Sequence, residues 1–191
     1  MAVPSVEDFL ALLFKWNQTY RLTAFKGPEE AMALGVKPSL AILDDLPQGA
    51  RLLDVGSGGG FPAIPLALLR PDLHVTCTEP SRQKTAFLRE AAAAFGLHVQ
   101  VENVPVEVVL RQGGTGCWDV ITVRGVHLRH GLLKRLSKAL APGGVLAVWS
   151  GGEREQSYAK WASEAGLVVE ERLLPTVPPV PLLLARVPRG T

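Results

Sequence analysis

The chain has 191 residues, 47% of them hydrophobic and 20% charged, with a formal net charge of +2. That composition excludes a disordered chain and is enough for one sizeable core, while a charge so close to balance excludes an argument for a nucleic-acid partner from the total alone. The two cysteines, Cys77 and Cys117, form no CxxC pair, which argues against a disulfide framework or metal site and leaves them as small apolar residues in a reducing compartment.

The N-terminus carries Glu7 and Asp8 and no basic stretch, so it does not read as a signal peptide. No apolar run reaches the ~18 residues of a membrane span. The expectation is a cytoplasmic protein of a single domain, 1–191, in which a helical extension (1–46) precedes an α/β core (50–191).

Ser5, followed by Glu7 and Asp8, predicts a capped helix over 5–17 with Phe9, Leu10, Leu13, Phe14 and Trp16 on its apolar side. Pro28-Glu29-Glu30 opens a second helix over 28–35, which Lys37-Pro38-Ser39 is expected to break before a short helix over 39–46. Strands are then predicted at 51–56, 73–78, 98–102, 118–123 and 144–149, alternating with helices at 62–69, 81–95, 105–111, 128–140 and 153–165. Two last strands, 167–174 and 181–187, flank a proline-rich hairpin loop. Alternation of this kind implies an α/β fold, a mostly parallel sheet with helices on both faces.

The chemistry concentrates at Asp54-Val55-Gly56-Ser57-Gly58-Gly59-Gly60-Phe61, just past the first strand. Glycines in this density suit a tight turn between strand and helix, where backbone touches a nucleotide-like ligand. The dinucleotide fingerprint G-x-G-x-x-G fails from Gly56, because Phe61 holds the sixth place, although the looser G-x-G-x-x-A form fits from Gly58 to Ala63. The pattern D-x-G-x-G-x-G, on Asp54, Gly56, Gly58 and Gly60, resembles the signature of class I S-adenosylmethionine (SAM) methyltransferases. Glu79, 23 residues after Gly56 and at the end of the second strand, suits a carboxylate that accepts both ribose hydroxyls of a nucleoside. Asn103-Val104-Pro105-Val106-Glu107 follows the third strand and reads equally as an adenine-binding stretch or as the first turn of a helix. Pro142-Gly143-Gly144 before the fifth strand resembles class I methyltransferases more than dehydrogenases.

Lys15-Trp16-Asn17 with Leu22-Thr23-Ala24, the run from Asp54 to Leu66 with its F-P-x-I-P-L end, Arg70-Pro71 and Lys84-Thr85-Ala86-Phe87-Leu88 together resemble one family over about residues 9–150. This is the ribosomal RNA small subunit methyltransferase G family, also called glucose-inhibited division protein B. The resemblance implies a Rossmann-like class I fold with seven strands in the order 3-2-1-4-5-7-6, strand 7 antiparallel. It implies SAM as cofactor, 16S rRNA in the small ribosomal subunit as partner, and methylation of a guanine N7. SAM contacts under this resemblance fall on Gly56, Phe61, Val106, Glu107 and Arg124, the last in Val123-Arg124-Gly125; with Asp54, Ser57, Gly58 and Gly60 of the glycine turn and Glu79 they make up the candidate cofactor-binding residues. Arg124 is also the candidate catalytic residue, and no metal ligands stand out.

The chain departs from the family pattern where Arg21 precedes Leu22-Thr23-Ala24 in place of an asparagine, and where Leu34-Gly35-Val36-Lys37-Pro38-Ser39 replaces an R-H-x-x-D-S segment. Ser150-Gly151 replaces a K-G pair, and Pro179-Val180-Pro181 replaces E-R-H. Three alternatives accompany the family reading: a methyltransferase with another acceptor, a SAM-binding protein without catalysis, and a nicotinamide-dependent oxidoreductase. Residues 120–138 hold Arg124, Arg129, Lys134, Arg135, Lys138, His127 and His130 and no acid, which is either a phosphate-binding face or a solvated helix surface. Lys15, Trp16, Tyr20, Arg21 and Lys26 form a second basic and aromatic group, open to stacking or to core packing.

Overall fold

Ser5 starts the chain's first helix, α1 (Val6–Tyr20), with a capping box: its hydroxyl accepts from the Asp8 N–H and the Asp8 carboxylate accepts from the Ser5 N–H. The helix runs three residues past its expected end, to a left-handed stop at Arg21 (φ 47°). The computed structural model describes residues 4–150 and 154–189. Gly151 and the first residue of the helix expected at 153–165 lie outside these.

The break expected at Lys37-Pro38-Ser39 does not occur. The chain stays helical through α2 (Pro28–Glu30), a π-type turn (Ala31–Val36) and α3 (Lys37–Leu40). In the wide turn the Lys37 N–H pairs with the Met32 carbonyl, five residues back, so the amide that Pro38 lacks falls where the helical ladder is already re-registered. The helix expected at 39–46 contracts to the end of α3 and a 3-10 turn, Leu43–Asp45.

The core alternates as expected: β1 (Arg51–Val55), α4 (Ala63–Leu69), β2 (His74–Thr78), α5 (Arg82–Ala94), β3 (Val99–Glu102), α6 (Val106–Gly113), β4 (Trp118–Arg124), α7 (His130–Ala139), β5 (Leu140–Trp149), α8 (Arg154–Glu164), β6 (Val168–Leu174) and β7 (Val180–Arg186). The seven strands lie in the order β3-β2-β1-β4-β5-β7-β6. β1 to β5 pair in parallel, and β7 runs antiparallel to both β5 and β6. β5 starts at Leu140 rather than 144 because the Ala141-Pro142-Gly143-Gly144 stretch is a bulge: Trp118 pairs with Leu140, but Val120 pairs with Val145. Gly144 is required there, since a Cβ would lie 2.8 Å from the Ala141 carbonyl oxygen.

Strand periodicity sorts the core into two layers. Leu52, Val75, Val120, Ala147 and Leu184 face α1, α4 and α5, where Phe9, Ile64 and Phe87 are fully buried. Leu53, Val55, Ile121, Val123 and Leu146 face α6, α7 and α8, against Leu133, Leu136 and Tyr158. The N-terminal helices belong to the first layer. Asp45, in the 3-10 turn, ties them to the antiparallel edge by ion pairs with Arg172 and Arg186.

Candidate cofactor pocket and the clamp behind it

A cavity of about 500 Å³ opens at the carboxyl ends of β1, β2 and β4, on the α6–α7 side of the sheet. Such a position, at the strand ends where the order of an open α/β sheet reverses, is the general ligand site of this architecture. Of the residues expected to bind a cofactor, Gly56, Glu79, Val106 and Glu107 line it. Asp54, Ser57, Gly58, Gly60, Phe61 and Arg124 are not among its lining residues.

The glycine turn has the geometry its composition demands. Gly56, Gly58 and Gly60 have φ values of 68°, 55° and 94°, the left-handed region that other residues rarely adopt. A Cβ at Gly56 would also sit 2.4 Å from Val126 Cγ2. The turn is pinned to β2: the Ser57 N–H donates to the Thr78 carbonyl at 3.1 Å and the Gly58 N–H to Glu79 Oε2 at 3.0 Å. The Ser81 N–H donates to the other Glu79 oxygen at 2.9 Å. Glu79 is thus held by two amides and 7% exposed, with lone pairs left to face the cavity. Asn103 does not line the cavity; its amide donates to the Glu79 and Pro80 carbonyls and fixes the connection between β2 and α5.

Side-chain alternation explains which expected residues fall elsewhere. Val55 and Val123 point toward α6 and α7, so Asp54, Thr122 and Arg124 project to the opposite face. Asp54 is fully buried there. Its Oδ1 accepts from the Thr122 hydroxyl at 2.6 Å, and its Oδ2 has no partner among the described residues. Burial pushes its carboxyl up to about 6, against the pull of the Thr122 and Ser57 hydrogen bonds and the Arg124 charge.

Arg124 reaches the N-terminal helices rather than the cavity. Its guanidinium donates to the Gly35 carbonyl at 2.6 Å, to the Ser39 hydroxyl at 3.1 Å and to the Leu34 carbonyl. It stands 6.0 Å from the centre of the Phe61 ring. Burial lowers its pKa to about 10, with the Asp54 charge opposing. Phe61 in turn packs edge-on against Phe9 and Phe25, at centroid distances of 5.3 and 5.6 Å. Arg124 and Phe61 therefore form a clamp behind the turn. Neither Asp54 nor Glu107 is within ion-pair distance of Arg124 among the described residues.

Several cavity residues carried no distinct signal in the sequence, among them Pro80, Val126 and Leu132, and Lys84 stood out only as part of a motif and not as a pocket residue. Val126 follows Arg124 by two residues, so its place beside Gly56 was accessible only once the end of β4 was known. Trp16 packs against Phe87 and donates to Glu90 at 3.2 Å, which joins α1 to α5 and settles the packing alternative for that ring. Asn17 accepts from the Thr23 N–H at 2.9 Å, so this part of the N-terminal motif is structural. Arg70 likewise binds Asp72 and the Leu46 and Pro47 carbonyls, closing the loop before β1. No helix among the described residues is long and apolar enough to cross a membrane.

The fold is similar to that of several solved structures. It is similar to a SAM-dependent methyltransferase from Aquifex aeolicus, with a TM-score of 0.67, 18% identity and coverage of 87% of this chain and 97% of the other. It is similar to the precorrin-6y C5,15-methyltransferase of Geobacter metallireducens, with a TM-score of 0.68, 16% identity and coverage of 84% and 89%. The architecture is that of the class I SAM-dependent methyltransferases. The profile of rRNA small subunit methyltransferase G matches residues 2–173. Ribosomal RNA small subunit methyltransferase G of Halorhodospira halophila is 38% identical over 160 residues, covering 83% of this chain and 74% of the relative. Its namesake from Acidovorax sp. is 33% identical over 190 residues, covering 90% and 79%. The chain belongs to the rRNA small subunit methyltransferase G family.

Proposed function

We propose that the protein transfers the methyl group of SAM to N7 of a guanine in 16S rRNA of the small ribosomal subunit, in the cytoplasm. The observation that carries this reading is the cavity between the glycine turn and Val106-Glu107, with Glu79 on its wall, in a chain of this family.

The residues present fit SAM. Glu79 offers free acceptor lone pairs where ribose hydroxyls would lie, and Val106, Pro80 and Leu132 offer apolar surface for a base, with Glu107 at its polar edge. Gly56 and Gly125 bring bare backbone to the end nearest β4. When bound, SAM supplies an electrophilic methyl group on a sulfonium. The protein's own task is to align that group with the acceptor and keep water away. Guanine N7 carries a free lone pair and loses no proton before attack, so no general base is needed. That agrees with the loss of the histidine and aspartate from Leu34–Ser39, where Arg124 now occupies the backbone carbonyls. Arg124 and Phe61 act in this scheme as positioning residues that hold the turn against the N-terminal helices. This replaces the catalytic role expected for Arg124, because its guanidinium is turned to the face away from the cavity.

The test is titration with SAM, S-adenosylhomocysteine and NAD, followed by transfer from labelled SAM to 30S subunits that lack the modification. Binding of SAM with transfer to 16S rRNA is expected. NAD binding without SAM binding would overturn the cofactor assignment. The altered Leu34–Ser39 segment favours, as a second reading, a methyltransferase with a different acceptor, and SAM binding without transfer to 30S subunits would support it.

A further inference from the structure

The α7 helix and the loop before it carry a cationic face that the cofactor pocket does not explain. His127, Arg129, His130, Lys134, Arg135 and Lys138 are all exposed, whereas Leu133, Leu136, Ser137 and Ala139 of the same helix are buried. Among the described residues, Arg129, Lys134, Arg135 and Lys138 have no carboxylate within ion-pair distance.

Two observations go beyond an ordinary solvated helix surface. First, the helix dipole accounts for Lys138 in the last turn but opposes charge at the other end. Arg129 nevertheless occupies the N-cap, the first turn holds no acid, and no side chain caps it. A cation in that place is favoured when an anion comes to it. Second, the face is continuous with the pocket. His127, Arg129 and Leu132 line the cavity, and Lys84 of α5 stands on its rim. From there Lys134 and Lys138 follow at an interval of four residues, a rise of about 6 Å at 1.5 Å per residue, while His130 in the first turn stands 3.6 Å from Glu164. Arg129 at the mouth of the pocket, followed by Lys134 and Lys138 one helical turn apart, presents repeated positive charge that matches a polyanion.

We infer that the α7 face from Arg129 to Lys138 is a track for the phosphate backbone of the RNA whose target base enters the cavity. This rests on the methyltransferase reading above and adds to it the surface on which the RNA lies. Phosphate contacts of this kind fix register and orientation and carry no sequence information, so the track supplies affinity and alignment while the pocket selects the base.

The experiment compares the wild-type protein with two variants, Lys134→Gln/Arg135→Gln/Lys138→Gln and the corresponding triple Glu substitution. A matched control carries Lys15→Gln/Lys26→Gln at the other basic cluster. Binding to protein-free 16S rRNA is measured across a salt series, with SAM affinity as the check on folding. The track predicts unchanged SAM affinity, RNA affinity lowered about tenfold or more, and a log–log salt slope shallower by about 2 for three lost contacts at ~0.7 each. The control variant is expected to keep the wild-type slope. RNA binding by the α7 variants with wild-type affinity and slope overturns the track and leaves the methyltransferase reading intact. The predicted loss of slope, in a protein that transfers no methyl group to 30S subunits, sustains the track and overturns 16S rRNA as the methyl acceptor.

Discussion

The guanidinium of Arg124, the last residue of β4, donates to the carbonyl oxygen of Gly35, 89 residues earlier in the chain, at 2.6 Å. The bond ties the end of a central strand to the π-type turn of the N-terminal helices. Gly35 is also where a Cβ would meet Phe61 at 2.8 Å and Phe25 at 3.0 Å. The glycine turn, the N-terminal helices and the end of β4 thus meet at one point, behind the cavity rather than in it.

Arg124→Ala should therefore act through position more than through cofactor contact. It removes three hydrogen bonds made by a partly buried charge, a loss of about 2–3 kcal/mol by denaturant unfolding. Hydrogen exchange of amides in Ala31–Leu40 should quicken, with SAM affinity changed less than the rate of methyl transfer. Arg124→Lys should not restore protection, because one ammonium cannot reproduce the fork that spans Leu34, Gly35 and Ser39. Unchanged exchange in Arg124→Ala would remove the clamp.

Glu79→Ala should weaken SAM by about 1–3 kcal/mol in isothermal titration, since it deletes the carboxylate held at the end of β2. Glu79→Gln should fall between the two, keeping one oxygen for a ribose hydroxyl or for the Gly58 amide. An affinity equal to wild type in Glu79→Ala would place the ribose elsewhere.

Gly56→Ala combines two penalties that can be separated. The positive φ of 68° costs about 1–2 kcal/mol for any L side chain, and the new methyl group meets Val126 at 2.4 Å. Adding Val126→Ala should recover the second part and not the first. If the double variant is no more stable than Gly56→Ala alone, the contact with Val126 is not what makes glycine necessary.

Asp54 gives a pH signature. Its carboxyl stands at about 6 in the folded protein, against 3.8 for the free group, chiefly through burial. Between those values the folded chain holds more protons than the unfolded one, so this group's contribution to stability falls as pH rises from 3.8 to about 6. The integrated change is on the order of 2–3 kcal/mol. Asp119 and Asp8, whose carboxyls are lowered by hydrogen bonds from Arg51 and from Ser5, work in the opposite sense at lower pH. The difference in unfolding free energy between wild type and Asp54→Asn isolates the term. A difference that stays flat from pH 4 to 6.5 would show that Asp54 titrates normally.

Strand positions, strand order and the glycine turn were legible in the sequence because each rests on a local pattern: alternation of apolar runs, glycine density, proline and cap residues. The same holds for Glu79, whose place follows from its strand. Arg124 was harder. Its distance along the chain from the glycine turn gives no side-chain direction, and only the two-residue period of β1 and β4 sends Asp54 and Arg124 to the face opposite Val55 and Val123. The π-type turn is not legible locally, because Pro38 is a strong local signal for a break and the rings that lie against Gly35, Phe61 and Phe25, come from other segments of the chain. The bulge at the start of β5 likewise depends on Asp119 and Ala141 backbone lying against Gly144.

The central claim, methyl transfer from this pocket to guanine N7 of small-subunit rRNA, is tested most directly by nucleoside analysis. Purified protein and labelled SAM are incubated with 30S subunits lacking the modification, and the 16S rRNA is digested and resolved. The account predicts that the label co-migrates with 7-methylguanosine and is lost in Glu79→Ala at sub-saturating SAM. Tight SAM binding with no label in the rRNA, or label in a different nucleoside, would contradict it.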